Sequence, residues 1–293
     1  MSSSGLFATV YGLVGHEDVG NGIHVNFQLE DGFSGATGAS TVGTAAFNRL
    51  AWVGLSGPFG AFRIGRQKKP EYQYLDGVLD PTAGKTFASP VSVFQDVAVR
   101  ANNAITYFAP DFYGVTAQFM VAMRDQTTKP SNGLELYNAV ARYTKGPFVG
   151  AVGYEQWGNA TGTALQRVFR VAGAYKVGQA RLYLAYLAEH QSDNSENRRI
   201  YEVSGSYMFN AANMLSVMYG YLSDQTGQGN NGQEIGAIYE YFLSKRTILY
   251  AAAAFVQNRN QGEYTLNGTQ YYGVAVAPGS NVRGVILGIA HKF

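Results

Sequence analysis

The run Gln166-Arg167-Val168-Phe169-Arg170-Val171-Ala172-Gly173-Ala174-Tyr175-Lys176, the short break Val177-Gly178-Gln179, and the run Ala180-Arg181-Leu182-Tyr183-Leu184-Ala185-Tyr186-Leu187-Ala188-Glu189 decide the fold. In the first run Phe169, Val171, Gly173 and Tyr175 share one parity, and Arg170, Ala172, Ala174 and Lys176 share the other. In the second, Leu182, Leu184 and Tyr186 oppose Arg181, Tyr183, Ala185 and Glu189. A repeat of two residues is that of a strand, not of a helix. Working outward, Arg199 to Phe209 sets Tyr201, Val203, Tyr207 and Phe209 against Glu202, Ser204 and Ser206. Gln233 to Tyr241 sets Ile235, Ala237, Tyr239 and Tyr241 against Glu234 and Glu240. One face is apolar and ends in aromatics; the other is polar and often charged.

A water-soluble antiparallel sheet also alternates, so alternation leaves two readings open. Composition narrows them. Charged residues are only 14% of the 293, well below the roughly 25% of soluble domains. Glycine (36) and tyrosine (21) are abundant, and no apolar run is long enough for a helical membrane span. A net charge of +2 offers no clustered basic surface for nucleic acid, and the absence of cysteine removes disulfides, zinc-thiolate sites and thiol nucleophiles. Met1-Ser2-Ser3-Ser4-Gly5 lacks the basic start and apolar stretch of a signal peptide, so a mature form or a fragment is expected.

Segments of about ten residues match the length of a tilted strand crossing a bilayer. Tyr107, Tyr143, Tyr175, Tyr207, Phe209, Tyr241, Phe255 and Phe293 stand at segment ends, where an interfacial aromatic girdle would lie. Connections alternate in length. Short ones at Val19–Gly22, Gly57–Gly60, Pro110–Gly114, Lys145–Pro147, Val177–Gln179, Asn210–Asn213 and Ser244–Arg246 are interleaved with longer polar ones at Ser34–Ala46, Lys68–Gln95, Asp125–Gly133, Trp157–Ala164, His190–Arg198, Ser223–Gly232 and Gln257–Val282. Short turns on one rim and long loops on the other predict a transmembrane antiparallel β-barrel, a single domain over residues 1–293. About 15 strands are identifiable, the first near Leu6 to Glu17 and the last at Arg283 to Phe293. An odd count makes these two run in the same direction. Either a first strand is missing from a 16-stranded parent, or the barrel closes in parallel.

The longest aperiodic stretch before the C-terminal third, Lys68 to Gln95, lies between segments carrying arginines, Phe47 to Leu55 and Asp96 to Phe108. Its length marks it as disordered or functional. A charge facing lipid at mid-depth costs about 2–4 kcal/mol, so Arg49, Arg100, Arg142, Arg170 and Arg181 are expected to point inward. There each arginine either contributes to a field across a pore or forms a salt bridge that fixes the loop to the wall.

Several pieces in order resemble the trimeric general porins of Gram-negative outer membranes, most closely the β-proteobacterial branch. They are Glu17-Asp18-Val19-Gly20-Asn21-Gly22, Phe27-Gln28-Leu29-Glu30-Asp31-Gly32-Phe33, Phe47-Asn48-Arg49 through Val53-Gly54-Leu55, Gly60 with Gly65-Arg66-Gln67, Arg100-Ala101-Asn102-Asn103, and Gly288-Ile289-Ala290-His291-Lys292-Phe293. The resemblance implies a homotrimer in outer-membrane lipid and lipopolysaccharide. It implies a water-filled channel for passive diffusion of small solutes and ions, with no cofactor and no nucleic-acid partner. By position, Arg49 and Arg100 match wall arginines, accompanied by Arg66, Lys68 and Glu30, which shares its parity with Gln28 and Asn26. Lys68 to Gln95 matches the inward-folded constriction loop, with Glu71, Asp76 and Asp80 as acidic partners diluted by Lys68, Lys69 and Lys85. Val10 falls where many relatives carry another arginine, and the terminal Phe293 resembles an assembly signal. Lumen-phase cations, including Arg124 and Lys176, slightly outnumber Glu189, Glu202, Glu234 and Glu240, and a weak anion preference is expected.

No catalytic constellation stands out. His16, His24, His190 and His291 sit in separate segments outside nucleophile or zinc motifs, and a role in rim or lumen solvation is expected. Glu17-Asp18 and Glu30-Asp31 point to opposite faces, and Gly227 to Gly232 lacks a phosphate-loop lysine. The competing class is a substrate-specific channel or a surface protein such as an adhesin or phage receptor. A sugar channel would step aromatics along the lumen, but lumen-phase Tyr183 and Tyr250 are isolated.

Overall fold

The computed structural model describes residues 3–41, 45–75, 77–95, 98–124, 134–158, 164–268 and 273–293. Fifteen strands form one sheet, each antiparallel to the next: β1 (Val10–Gly20), β2 (Ile23–Gly32), β3 (Leu50–Gly57), β4 (Gly60–Lys68), β5 (Arg100–Phe108), β6 (Val115–Met123), β7 (Leu134–Lys145), β8 (Phe148–Gly158), β9 (Leu165–Val177), β10 (Ala180–Gln191), β11 (Asn197–Asn210), β12 (Asn213–Asp224), β13 (Gly232–Phe242), β14 (Thr247–Asn258) and β15 (Val282–His291). Two short helices, α1 (Pro70–Tyr74) and α2 (Pro90–Phe94), interrupt the segment between β4 and β5, which the sequence shows only as aperiodic. Tight turns use left-handed backbone, as at Gly20, Asn21 and Gly22 with φ of 91°, 53° and 71°.

The two faces are inverted relative to a soluble protein. Leu182 and Leu184 are 59% and 65% exposed, and Phe169, Val171 and Tyr175 are exposed beside them. The opposite parity buries Arg170, Glu155, Glu189, Glu202, Glu234 and Glu240. An apolar exterior around a polar interior is stable only where the outer solvent is hydrocarbon, which removes the soluble-sheet reading. Among the described residues no helix is long and apolar enough to cross a membrane; the strands make the crossing. The segment leaving the sheet after β4 packs α1 on β6 and β7 and α2 on β11, β12 and β13. To touch both sets of strands it must lie inside the curled sheet, so the lumen is spanned by this segment.

The first strand begins at Val10, four residues later than its sequence pattern suggests. β1 and β15 are not paired, so the parallel closure is not formed. Residues 3–9 bridge the seam instead. The Gly35 N–H donates to Ser3 Oγ (2.9 Å) and the Phe33 N–H to the Thr9 carbonyl (3.1 Å). At the other side Gly5 lies against the Tyr250 ring and Ile286, and Lys292 Nζ stands 5.1 Å over the Phe7 ring. Leu6 is buried in the interior cluster, which explains why an apolar stretch here takes no strand pairing.

Candidate functional site

The lumen-spanning segment is attached to the wall by charge at one end and by shape at the other. Lys69, extended, precedes α1, whose first residue is Pro70, as a helix start permits. The Lys69 ammonium bonds to Glu155 and lies 4.4 Å over the Trp157 ring. Glu71 Oε1 is 3.3 Å from Arg170 Nη1, and the Asn138 amide donates to both Glu71 and Glu155. Arg142 Nη1 donates to the Tyr74 carbonyl at 3.3 Å. Lys69, Glu71, Glu155 and Arg170 are buried, and each has a partner of opposite charge, as burial requires. Burial alone would raise the Glu71 pKa. Its hydrogen bond to Glu155 and the charges of Arg170 and Lys69 outweigh that and hold it below the ordinary value.

Farther along, Asp80 is wholly buried and bonds its own segment: the Thr82 N–H (2.5 Å) and hydroxyl (2.7 Å), the Gly84 N–H (3.0 Å) and the Ser89 hydroxyl (2.7 Å). Ser89 caps α2, accepting from the Ser92 N–H. The backbone of Ala88 then lies directly on Gly236, and the Pro90 ring on Gly220. A Cβ at Gly236 would collide with the Ala88 carbonyl oxygen.

The expected acidic partners are therefore not where the sequence suggests. Glu71 and Asp80 do not face Arg49 and Arg100 across the lumen. Glu71 is spent on the β7–β9 wall and Asp80 on its own loop, because α1 and the Asp80 turn point both carboxylates away from open water. Asp76 lies outside the described residues. Lys85 is half-buried.

On the opposite wall Arg49, Arg66 and Arg100 converge, each within electrostatic reach of another. Arg49 and Arg100 stand at strand ends, immediately before β3 and at the start of β5, and not in strand interiors as the parity argument assumes. Arg49 Nε donates to Glu30 Oε1 at 2.6 Å, a carboxylate on the lumen parity of β2. Arg66 rides on a register shift between Gly65 and Gln67, a bulge that re-aims it. Its Nε donates to the Asn48 carbonyl (2.7 Å) and its Nη1 to Asn102. Arg100, paired in register with Lys68, keeps buried Nε and Nη2 atoms that have no hydrogen-bond partner among the described residues.

The remaining cations are dispersed. Arg124 follows β6 beside Gly158. Arg170 is covered by the loop. Lys176 and Arg181 oppose each other on β9 and β10, with Arg181 5.3 Å from the Tyr183 ring centre. Phe293 is fully exposed, edge-on to His291 with centroids 4.7 Å apart. Sequence reasoning missed Arg63, held between Trp52 (4.1 Å) and Phe108 (4.3 Å) on the lumen parity. Its place between Phe62 and Ile64 carried the signal. It also missed Asn138 and Glu155, whose roles appear only once α1 is docked.

A model of the Gram-negative porin family matches residues 2–261. The chain belongs to this family. Outer membrane porin protein 32 of Delftia acidovorans is 30% identical to this porin over 100% of its chain and 87% of the relative. The solved anion-selective porin from Comamonas acidovorans superposes with a TM-score of 0.85 at 26% identity, covering 100% of this chain and 91% of that one. The trimer form of OmpT from Vibrio cholerae shares the fold alone, with a TM-score of 0.72 at 15% identity over 97% and 91% of the two chains. This porin is thus an outer-membrane β-barrel channel for passive diffusion of small hydrophilic solutes and ions.

Proposed function

We propose that this porin passes small anions in preference to cations, and that residues 68–95 and the arginine wall are its constriction. The observation that carries this is the unequal fate of the charges. Of the described carboxylates of the loop, Glu71 is paired with Arg170 and Asp80 is buried and hydrogen-bonded within its own segment, whereas Arg66 and Arg100 face Arg49 with Glu30 as the neighbouring counter-charge. An anion entering the narrow part meets a net positive wall, and a low-dielectric rim focuses that field. The anion-selective porin from Comamonas acidovorans supports the same direction. The lumen-phase tyrosines Tyr183 and Tyr250 are buried and offer no face for stacking sugars, which favours a general channel over a substrate-specific one or an adhesin.

The reading includes a homotrimer embedded in outer-membrane lipid and lipopolysaccharide, Phe293 as the assembly signal, and no enzymatic activity. Conductance in planar bilayers tests it. Replacing chloride by larger organic anions should lower the current far more than replacing potassium by larger cations, and channels should close in three equal steps. Equal sensitivity to both ions would remove the anion preference, and single-step closure the trimer.

A further inference from the structure

The sequence keeps the histidines in separate segments, but the β1–β2 register brings two of them together. His16 pairs with Asn26 and Asp18 with His24, on the lumen parity shared by Gln28 and Glu30, at the short-turn end of the pore. The two imidazoles stack with centroids 4.6 Å apart and planes 29° apart. Asn26 fixes the tautomer of His16. Its Nδ2 donates to Ser56 Oγ (2.9 Å) and to the His24 carbonyl (3.4 Å), so its Oδ1 is the atom turned to His16 Nδ1 at 2.8 Å and must accept from it. Neutral His16 then carries its proton on Nδ1 and a lone pair on Nε2. His24 is backed similarly. Its Nδ1 is buried, has no hydrogen bond among the described residues, and stands 4.0 Å from Asp18 Oδ1, a gap that a small turn of the ring closes.

An oxygen acceptor behind Nδ1 is the arrangement that turns Nε2 of a histidine toward a metal ion. We propose that His16 and His24 form a two-imidazole site for a borderline divalent transition-metal ion, such as Zn²⁺, Ni²⁺ or Cu²⁺. Imidazole nitrogen suits these ions, whereas Ca²⁺ and Mg²⁺ require oxygen ligands. Among the described residues no group of three His, Cys, Asp or Glu side chains is placed to hold a metal, so the protein supplies two ligands and water completes the shell. Binding rotates the rings from stacked to convergent, which the exposure of His16 permits. A bound ion adds positive charge and its water shell to the lumen wall, so it obstructs the pore mouth.

The test uses purified porin with zinc alone. Zinc should reduce the current of reconstituted wild-type channels at concentrations where magnesium leaves it unchanged, and equilibrium dialysis of the detergent-solubilised porin should show bound zinc. The H16N/H24N double variant should lose both effects. Asn26→Ala, which leaves both imidazoles but frees the His16 tautomer, should need about tenfold more zinc. The site is refuted if the double variant responds to zinc like the wild type, or if the wild type neither binds zinc nor is obstructed by it.

Discussion

At Arg100 the side chain is half-buried on the lumen wall, and among the described residues its Nε and Nη2 make no hydrogen bond, so its charge acts on a passing ion and is not consumed by a partner. A unit charge about 7 Å from an ion's path in water is worth about 0.6 kcal/mol, roughly threefold in local ion concentration. The attraction of an anion and the repulsion of a cation multiply, so Arg100→Gln should lower the anion-to-cation permeability ratio about sevenfold. Arg49→Gln should lower it more, because it also releases the Glu30 carboxylate now bonded at 2.6 Å. Equal effects of the two substitutions would mean that Glu30 is not a working counter-charge. Glu71 makes a different prediction. A carboxyl held below its ordinary value stabilises the docked loop above that value, and the contribution is lost as pH falls through the lowered one. Acidification below the ordinary carboxylate range, and not alkali, should loosen α1 and produce flickering conductance; Glu71→Gln should flicker at neutral pH. The wall arginines were legible because ordered motifs surround them. The fate of Glu71 and Asp80 was not, since a segment without period gives no way to tell an acid facing the pore from one facing the wall.

Among elements, the strands were the legible part. Runs of 8 to 14 residues repeat their two-face pattern several times, and their ends were read to within a few positions. The helices α1 and α2, five residues each, are too short to display a helical period. Their start signals were nonetheless present, a proline after Lys69 and a serine-proline pair at Ser89-Pro90. The bulge at Gly65 left no such trace, yet it sets the direction of Arg66. The glycines of the docking groove carry a prediction at this scale. At Gly236 an added methyl meets backbone, which cannot rotate away, so Gly236→Ala should displace the tip that carries α2. The expected result is a folded barrel with larger, noisier channels. Unchanged single-channel conductance would show that the tip does not limit the pore.

For the whole molecule, what was legible is the inversion of faces: apolar side chains outward, charged ones inward, in fifteen strands whose short and long connections alternate. The seam was foreseen only as a problem of direction. Its treatment by residues 3–9, with Leu6 buried against the interior and Ser3 and Thr9 bonded to the chain just after β2, depends on contacts between distant parts of the chain that no local pattern records. The same holds for charge. A net formal charge of +2 hides a lumen in which the loop acids are spent and the wall arginines remain. The most direct measurement is the zero-current potential of the wild-type channel across a gradient of potassium chloride. A sign set by chloride, moving toward that of potassium in the R49Q/R100Q double variant, is the predicted result. A cation-selective wild type, or a selectivity that the double substitution leaves in place, would contradict the account.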